Sequence, residues 1–212
     1  RDLHYPLRRQ RQMCIRDRYS IWNNNLYGNT QKIDAKMKNF LLDYLKKNSI
    51  LKGDFTLSSG EKSNYYIDAR ISTLSSESLG IIAEIFYSKI SERGISFVGG
   101  PTIGADPIVG AILNKSYSNN KDLKGFLVRS GEKKHGTKKI IEGPNIENSQ
   151  VAIVEDVVST GGSIQSAIKE IEKQGSKVVL ILSIVDREMG AVEKFANEGI
   201  EYIPIFAISE LI

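Results

Sequence analysis

Residues 150–154 run Gln-Val-Ala-Ile-Val and end in two acids, Glu155 and Asp156. A strand that is apolar at successive positions, not at alternate ones, is buried on both faces. Only a sheet covered by helices on both sides offers that environment, and the rest of the chain supplies the helices. Met37, Phe40, Leu41, Tyr44 and Leu45 recur at helical spacing, as do Leu79, Ile82, Phe86 and Ile90, and again Ile164, Ala167, Ile168 and Ile171. Gly53 is expected to break the first helix, and Gly94 and Gly175 to end the other two. Between them lie strand-like runs: FTL (55–57) and YYID (65–68) around the turn SSGEKSN, ISFVGG (95–100), GFLVR (125–129), KVVLILSIVD (177–186) and EYIPIF (201–206). Helices over 106–116 and 190–198 complete the alternation. The expected fold is α/β, a mostly parallel central sheet flanked by helices.

The 212 residues suffice for one such domain, with no disulfide or structural metal needed to hold its core. The single cysteine, Cys14, excludes a disulfide framework and a multi-cysteine zinc site, and two histidines, His4 and His135, exclude a His-rich metal centre. No apolar run approaches the ~18 residues of a membrane span, so no membrane partner is expected.

Charge is unevenly placed. Residues 1–18 hold six arginines against two aspartates, which accounts for the whole net charge of +4. The remainder carries 23 basic and 23 acidic residues, so the basic balance is not that of a nucleic-acid-binding body. Residues 1–31 lack periodicity and include the Asn-rich WNNNLYGN. They are expected to be a disordered or non-native basic extension, with the domain occupying 34–212 and Met37 a natural start.

Ligands of open α/β sheets bind beyond the carboxyl ends of the strands. That directs attention to 99–106, 129–143, 155–163 and 186–187. In VAIVEDVVSTGGS (151–163), two acids leave a buried strand and Thr160-Gly161-Gly162-Ser163 opens a helix. Glycines there admit close backbone approach, and successive amides make an anion cradle. Adjacent carboxylates suit vicinal hydroxyls or a magnesium-bound group, so the whole suits a ribose phosphate; the plain alternative is a tight strand-to-helix turn with solvated acids. Neither GxxxxGK[ST] nor GxGxxG occurs, so nucleotide and dinucleotide fingerprints are absent.

A hydrophobic strand followed by Glu-Asp, two small apolar residues and Ser-Thr-Gly-Gly-Ser resembles the signature of type I phosphoribosyltransferases, which bind 5-phosphoribosyl 1-diphosphate (PRPP). FTLSSGEKSNYYID (55–68), GGPTIGADP (99–107) and VRSGEKKHG…IEG (128–143) narrow the resemblance to the orotate phosphoribosyltransferases, over roughly residues 37–212. The resemblance implies the type I phosphoribosyltransferase fold with a small N-terminal hood region. It implies transfer of ribose 5-phosphate from PRPP to orotate, giving orotidine 5′-phosphate and pyrophosphate in pyrimidine (UMP) synthesis. It further implies magnesium held through PRPP without direct protein ligands, a homodimer, and a cytoplasmic setting with neither nucleic acid nor membrane as partner.

Residue by residue, the PRPP contacts implied are Glu155, Asp156, Val157, Val158, Ser159, Thr160, Gly161, Gly162 and Ser163. The stretch 129–144 carries five basic residues against Glu132 and Glu142, with three glycines. On composition alone it is equally a solvated loop. In the resembling family it is a flexible loop, here 130–143, shared between subunits, and Arg129, Lys133 and His135 take its working positions. Lys133, Glu155 and Asp156 are the implied catalytic residues: a cationic flap stabilises charge gathering on the departing pyrophosphate. Many members carry a second lysine where this chain has Ser130, and the lysines that some relatives place in the FTL segment and after Gly-Pro are here Ser58 and Gly104. Orotate contacts are implied for Ser159, Arg187, Tyr66 and Ile67, with Tyr65 beside them. A guanidinium matches the orotate carboxylate as a fork, which an ammonium cannot. Both tyrosines are equally ordinary half-buried strand residues.

Three rivals stay in view. A phosphoribosyltransferase for a purine would have no carboxylate for Arg187. A non-catalytic PRPP sensor would find a use for the arginine-rich tail but none for the flap. A phosphate-signalling receiver domain would share the acids but not the Thr-Gly-Gly-Ser cradle.

Overall fold

The structure is a computed structural model describing residues 30–56, 62–131 and 139–212. The chain divides into two compact units, Arg1–Asn39 and Phe40–Ile212. Of the first, only the beginning of helix α1 (Thr30–Asn48) is described, and the rest of the expected extension, 1–29, lies outside the described residues.

Two strands, β1 (Ile50–Thr56) and β2 (Lys62–Ile67), pair antiparallel as a separate ribbon. The short helix α2 (Arg70–Thr73) and the longer α3 (Ser76–Glu92) lead to the main sheet. That sheet comprises β3 (Phe97–Pro101), β4 (Lys124–Val128), β5 (Ile141–Glu142), β6 (Gln150–Val158), β7 (Lys177–Asp186) and β8 (Glu201–Ala207). Helices α4 (Ala105–Ser118), α5 (Gly162–Glu172) and α6 (Ala191–Asn197) connect them, and a 3-10 turn, Ile208–Glu210, follows β8. The strand order is β5-β4-β3-β6-β7-β8. Every pairing is parallel except that of β4 with the two-residue β5.

The double burial expected from the 150–154 run is present. Val98, Ala152, Val154, Leu180 and Leu182 face one core with Leu41, Leu45, Ile82, Phe86, Ile108 and Ile112 of α1, α3 and α4. Val151, Ile153, Val178 and Ile181 face the opposite one, against Ile164, Ala167, Ile168 and Ile171 of α5 and Phe195 of α6. Each large aliphatic chain so buried contributes about 1.5–3 kcal/mol, so neither helical layer can be peeled off cheaply.

Connectivity explains where the site must be. From β3 the chain moves outward to β4 on one side, then returns to place β6 on the other, after which β7 and β8 continue outward. Loops at the carboxyl ends of β3 and β6 therefore diverge and leave a crevice.

Some boundaries differ from the sequence expectation for identifiable reasons. Helix α1 ends at Asn48, and Gly53 lies within β1 at φ +154°, where the pairing slips between Lys52 and Phe55. Gly53 thus serves a bulge and not a helix stop. The apolar run does not end at Val154: β6 continues through both acids to Val158, pairing Glu155 with Ser183 and Val158 with Asp186 of β7. Within the expected loop 130–143, Ile141 and Glu142 pair with Val128 and Leu127, while 132–138 lie outside the described residues.

Strand β3 owes its glycines to crowding. A Cβ on Gly99 would overlap the Phe126 carbonyl oxygen and come within 2.6 Å of its ring. We expect Gly99→Ala to lower stability by roughly 1–3 kcal/mol or more, the usual cost of overpacking. A shift of the urea midpoint to lower denaturant at unchanged slope would register it; an unchanged midpoint would contradict the packing described.

Candidate active site

Glu155 is 6% exposed, although it is an acid. Burial, and then the neighbouring Asp156 charge, push its carboxyl well above the usual carboxylate range. Its partners are modest: the Asp156 amide donates to Oε1 at 3.2 Å and the Ser163 hydroxyl to Oε2 at 3.5 Å. Asp156 is half-buried and accepts the Val157 amide at 2.7 Å. Across the crevice, the loop after β3 comes close. A Cβ on Gly104 would lie 2.6 Å from Glu155 Oε1 and 2.7 Å from Asp156 Oδ1, so a larger residue there would require the two carboxylates to move. The result is two carboxylates at the switch point, one of them held in a low-dielectric position where a cation or a hydroxyl donor would relieve it.

Helix α5 begins immediately beyond. Gly161 precedes it at φ +74°, a left-handed conformation that favours glycine, and a Cβ there would also strike the Phe195 ring at 2.6 Å. Gly162 and Ser163 are exposed in the first turn, as is Thr160, so amides and hydroxyls are presented together at a helix N-terminus. Lys194 Nζ donates to the Thr160 carbonyl at 3.5 Å, bringing a cation to the edge of this turn. Val158 differs from its neighbours: its side chain is buried in the core and its carbonyl accepts the Arg187 amide at 2.8 Å.

Arg187 follows β7. Its Nη1 lies 3.5 Å from Ser159 Oγ, its guanidinium carbon is 5.7 Å from the Tyr65 ring centroid, and its buried Nε meets no acceptor among the described residues. A buried guanidinium N–H without a partner is costly, and an acceptor of the right shape would satisfy it. Asp186 beside it is buried, which raises its carboxyl above the usual range, and it accepts the Glu188 amide at 3.2 Å.

Tyr66 and Ile67 stand elsewhere. With Asp68, Ala69, Arg70, Ile103, Gly104, Asp156 and Val157 they line a cleft of about 260 Å³ on the Asp156 side of the acids. Tyr66 also packs on Phe55, ring centroids 5.6 Å apart. Of the two tyrosines, then, Tyr65 is the one brought to Arg187.

Arg129 sits at the root of the expected flap. Its amide donates to the Ile140 carbonyl at 2.9 Å and its Nη1 is 3.9 Å from Glu142 Oε1. Lys133 and His135 lie outside the described residues. Sequence reasoning read Asp68 only as the end of the strand YYID and passed over Arg70, because a lone arginine after a strand carries no pattern. It also left Gly104 without a role, since nothing in GGPTIGADP says which glycine meets the acids.

The comparisons with known proteins agree with this geometry. Residues 74–203 match the phosphoribosyl transferase domain family. The chain is 42% identical over 174 residues to the orotate phosphoribosyltransferase of Methanosphaera stadtmanae, covering 82% of this chain and 95% of that one. It is 36% identical over 176 residues to that of Rhodopseudomonas palustris, covering 81% and 94%. Among solved structures, the Mycobacterium tuberculosis orotate phosphoribosyltransferase in complex with PRPP superposes with a TM-score of 0.69 at 30% identity, over 82% of this chain and 98% of that one. With the acid pair, the glycine-opened helix and the orphaned arginine at one switch point, the chain belongs to the phosphoribosyl transferase family, in its orotate phosphoribosyltransferase branch.

Proposed function

We propose that the chain transfers the 5-phosphoribosyl group of PRPP to orotate, forming orotidine 5′-phosphate and pyrophosphate in pyrimidine synthesis. The observation that carries the reading is the adjacency of three complementary sites. The Thr160–Ser163 turn suits the 5-phosphate, Glu155 and Asp156 suit the ribose hydroxyls, and Arg187 with Ser159 and Tyr65 suits a flat, carboxylate-bearing ring. A purine offers Arg187 no carboxylate, so the geometry favours orotate over that rival.

In this reading the bond from the anomeric carbon to the diphosphate oxygen breaks as the bond to the orotate ring nitrogen forms. The ring nitrogen releases its proton to solvent, and the electron pair of the breaking bond leaves with pyrophosphate. Glu155 and Asp156 orient the ribose and offset positive charge developing on the sugar. The helix N-terminus anchors the phosphate, and Arg187 holds the ring in line. No nucleophilic side chain is required. Magnesium fits this donor set: the adjacent carboxylates of Glu155 and Asp156 would accommodate a cation that arrives on PRPP. When bound, the ion supplies neutralisation of the diphosphate. Lys133 and His135, on the expected flap, add cationic groups from the neighbouring subunit of a homodimer, with Arg129 at the flap's root. No described helix is long and apolar enough to cross a membrane.

Magnesium-dependent loss of orotate absorbance in the presence of PRPP, reversed by pyrophosphate, tests the reading directly. Arg187→Ala is expected to raise KM for orotate by about 10–100-fold, the equivalent of one charge-assisted hydrogen bond, with KM for PRPP little changed. An unchanged orotate KM would remove Arg187 from the base site.

Glu155 also makes a prediction for pH. Its carboxyl binds a proton more tightly in the folded than in the unfolded chain, so the fold loses stability as pH rises through the native value. Glu155→Gln keeps the shape without the charge. The variant is expected to melt higher than the parent at pH 8, with the difference shrinking toward pH 5, while its turnover falls. A difference independent of pH, followed by scanning fluorimetry, would argue against a buried charge at this position.

A further inference from the structure

The cleft on the Asp156 side of the acids is not used by the phosphate cradle or by the Arg187 corner. Its described lining contains two carboxylates, Asp68 and Asp156, and one basic side chain, Arg70. Gly104, also in the lining and close to the Asp156 carboxylate, contributes no side chain to the cleft.

Arg70 is held in place from one side. Its Nε is 3.0 Å and its Nη2 3.4 Å from the two Asp68 carboxylate oxygens, and its own amide donates to Asp68 Oδ1 at 3.2 Å. Nη1 makes no hydrogen bond among the described residues. The guanidinium side chain is half exposed at 52%, in contrast to the anchored turn that carries it. Ser49, Ser72, Thr73 and Ser78 are all fully buried; the Ser49 and Ser72 hydroxyls lie 2.8 Å apart, and the Asp68 amide donates to the Ser49 carbonyl at 2.9 Å. An arginine fixed by a carboxylate on a rigid turn, with a free edge in a cleft, is arranged for planar recognition of an oxyanion.

We propose that Arg70 binds the diphosphate of PRPP, and the pyrophosphate released from it, with Asp68 as its positioning residue; this rests on the reading of the chain as a phosphoribosyltransferase. A substrate with its monophosphate in the Thr160–Ser163 turn and its ribose on the acids carries its second anionic group past Asp156. Arg187, assigned to the base, is not among the groups that line that cleft, whereas Arg70 is. Two carboxylates in that cleft would repel a bare diphosphate, so its one described cation is the group that makes it an anion site.

The test compares Arg70→Gln, Arg70→Lys and Asp68→Asn with the parent enzyme, using steady-state KM values in both directions. Forward, PRPP and orotate are varied; in reverse, pyrophosphate and orotidine 5′-phosphate. Arg70→Gln is expected to raise KM for PRPP and for pyrophosphate about 10–100-fold, leaving orotate and orotidine 5′-phosphate within about twofold. Arg70→Lys, which keeps charge but loses the fork, falls between, and Asp68→Asn gives a smaller loss with the same selectivity. Unchanged KM for PRPP and pyrophosphate in an active enzyme would overturn the assignment, as would equal losses for all four ligands. A parent enzyme that turns over none of them would instead sink the functional reading on which the assignment stands. Melting temperatures close to the parent value are expected for all three variants, because the Arg70 side chain is half exposed.

Discussion

The close approach of Gly104 to Glu155 and Asp156 is the constraint around which the site is organised. It joins the loop after β3 to the end of β6, the two places where the chain's path through the sheet parts. It does so by packing backbone against carboxylates, an arrangement that a single added methyl group would push apart. Once the acids are fixed there, everything that follows β6 is fixed in relation to them. Three residues later Ser159 meets Arg187, and five residues later the left-handed Gly161 turns the chain into α5.

Holding Glu155 in that position works against the fold. A carboxyl buried next to another carboxyl prefers its proton, so the fold is less stable near neutral pH than a neutral isostere would make it. Binding a ligand that donates hydroxyls, or carries a cation, turns this penalty into affinity. The unpartnered Nε of Arg187 has the same character: a polar group left short of an acceptor until something planar and anionic arrives. A buried carboxyl with only long hydrogen bonds and a guanidinium N–H with none, groups of opposite demand, describe a ligand with hydroxyls in one part and a carboxylate in another. Local stability is surrendered where function needs it, and the two apolar layers of the sheet supply the surplus.

How far the sequence could be read follows from the same physics. The doubly apolar strand, the three helical stripes and the glycine-opened helix after the acids are periodic or contiguous signals, and each corresponds to an element in the structure. What escaped were features set by tertiary contact. Gly53 looks like a helix stop because the adjacent bulge depends on pairing with β2. The continuation of β6 to Val158 is invisible because acids lower strand propensity, and only the ladder with β7 overrides that. Tyr65 and Tyr66 alternate in sequence, but which of them meets Arg187 depends on how the ribbon packs on the sheet. Arg70 had no pattern at all.

Those two blind spots bear on one another. The ribbon and its following turn deliver Tyr65 to Arg187 and Arg70 to the cleft that Asp156 lines, within six residues of chain. A strand alternates its faces every residue, so β2 alone would send Tyr65 and Ile67 one way and Tyr66 the other. Ending the strand at Ile67 and turning at Asp68 frees Arg70 from that alternation and places it in the cleft that Tyr66 lines. A segment at the rim of the sheet thereby contributes to both sides of the site. A change that displaces the whole ribbon is consequently felt at both, whereas a change at Arg70 alone, at Arg187 or in the Thr160–Ser163 turn is felt at one.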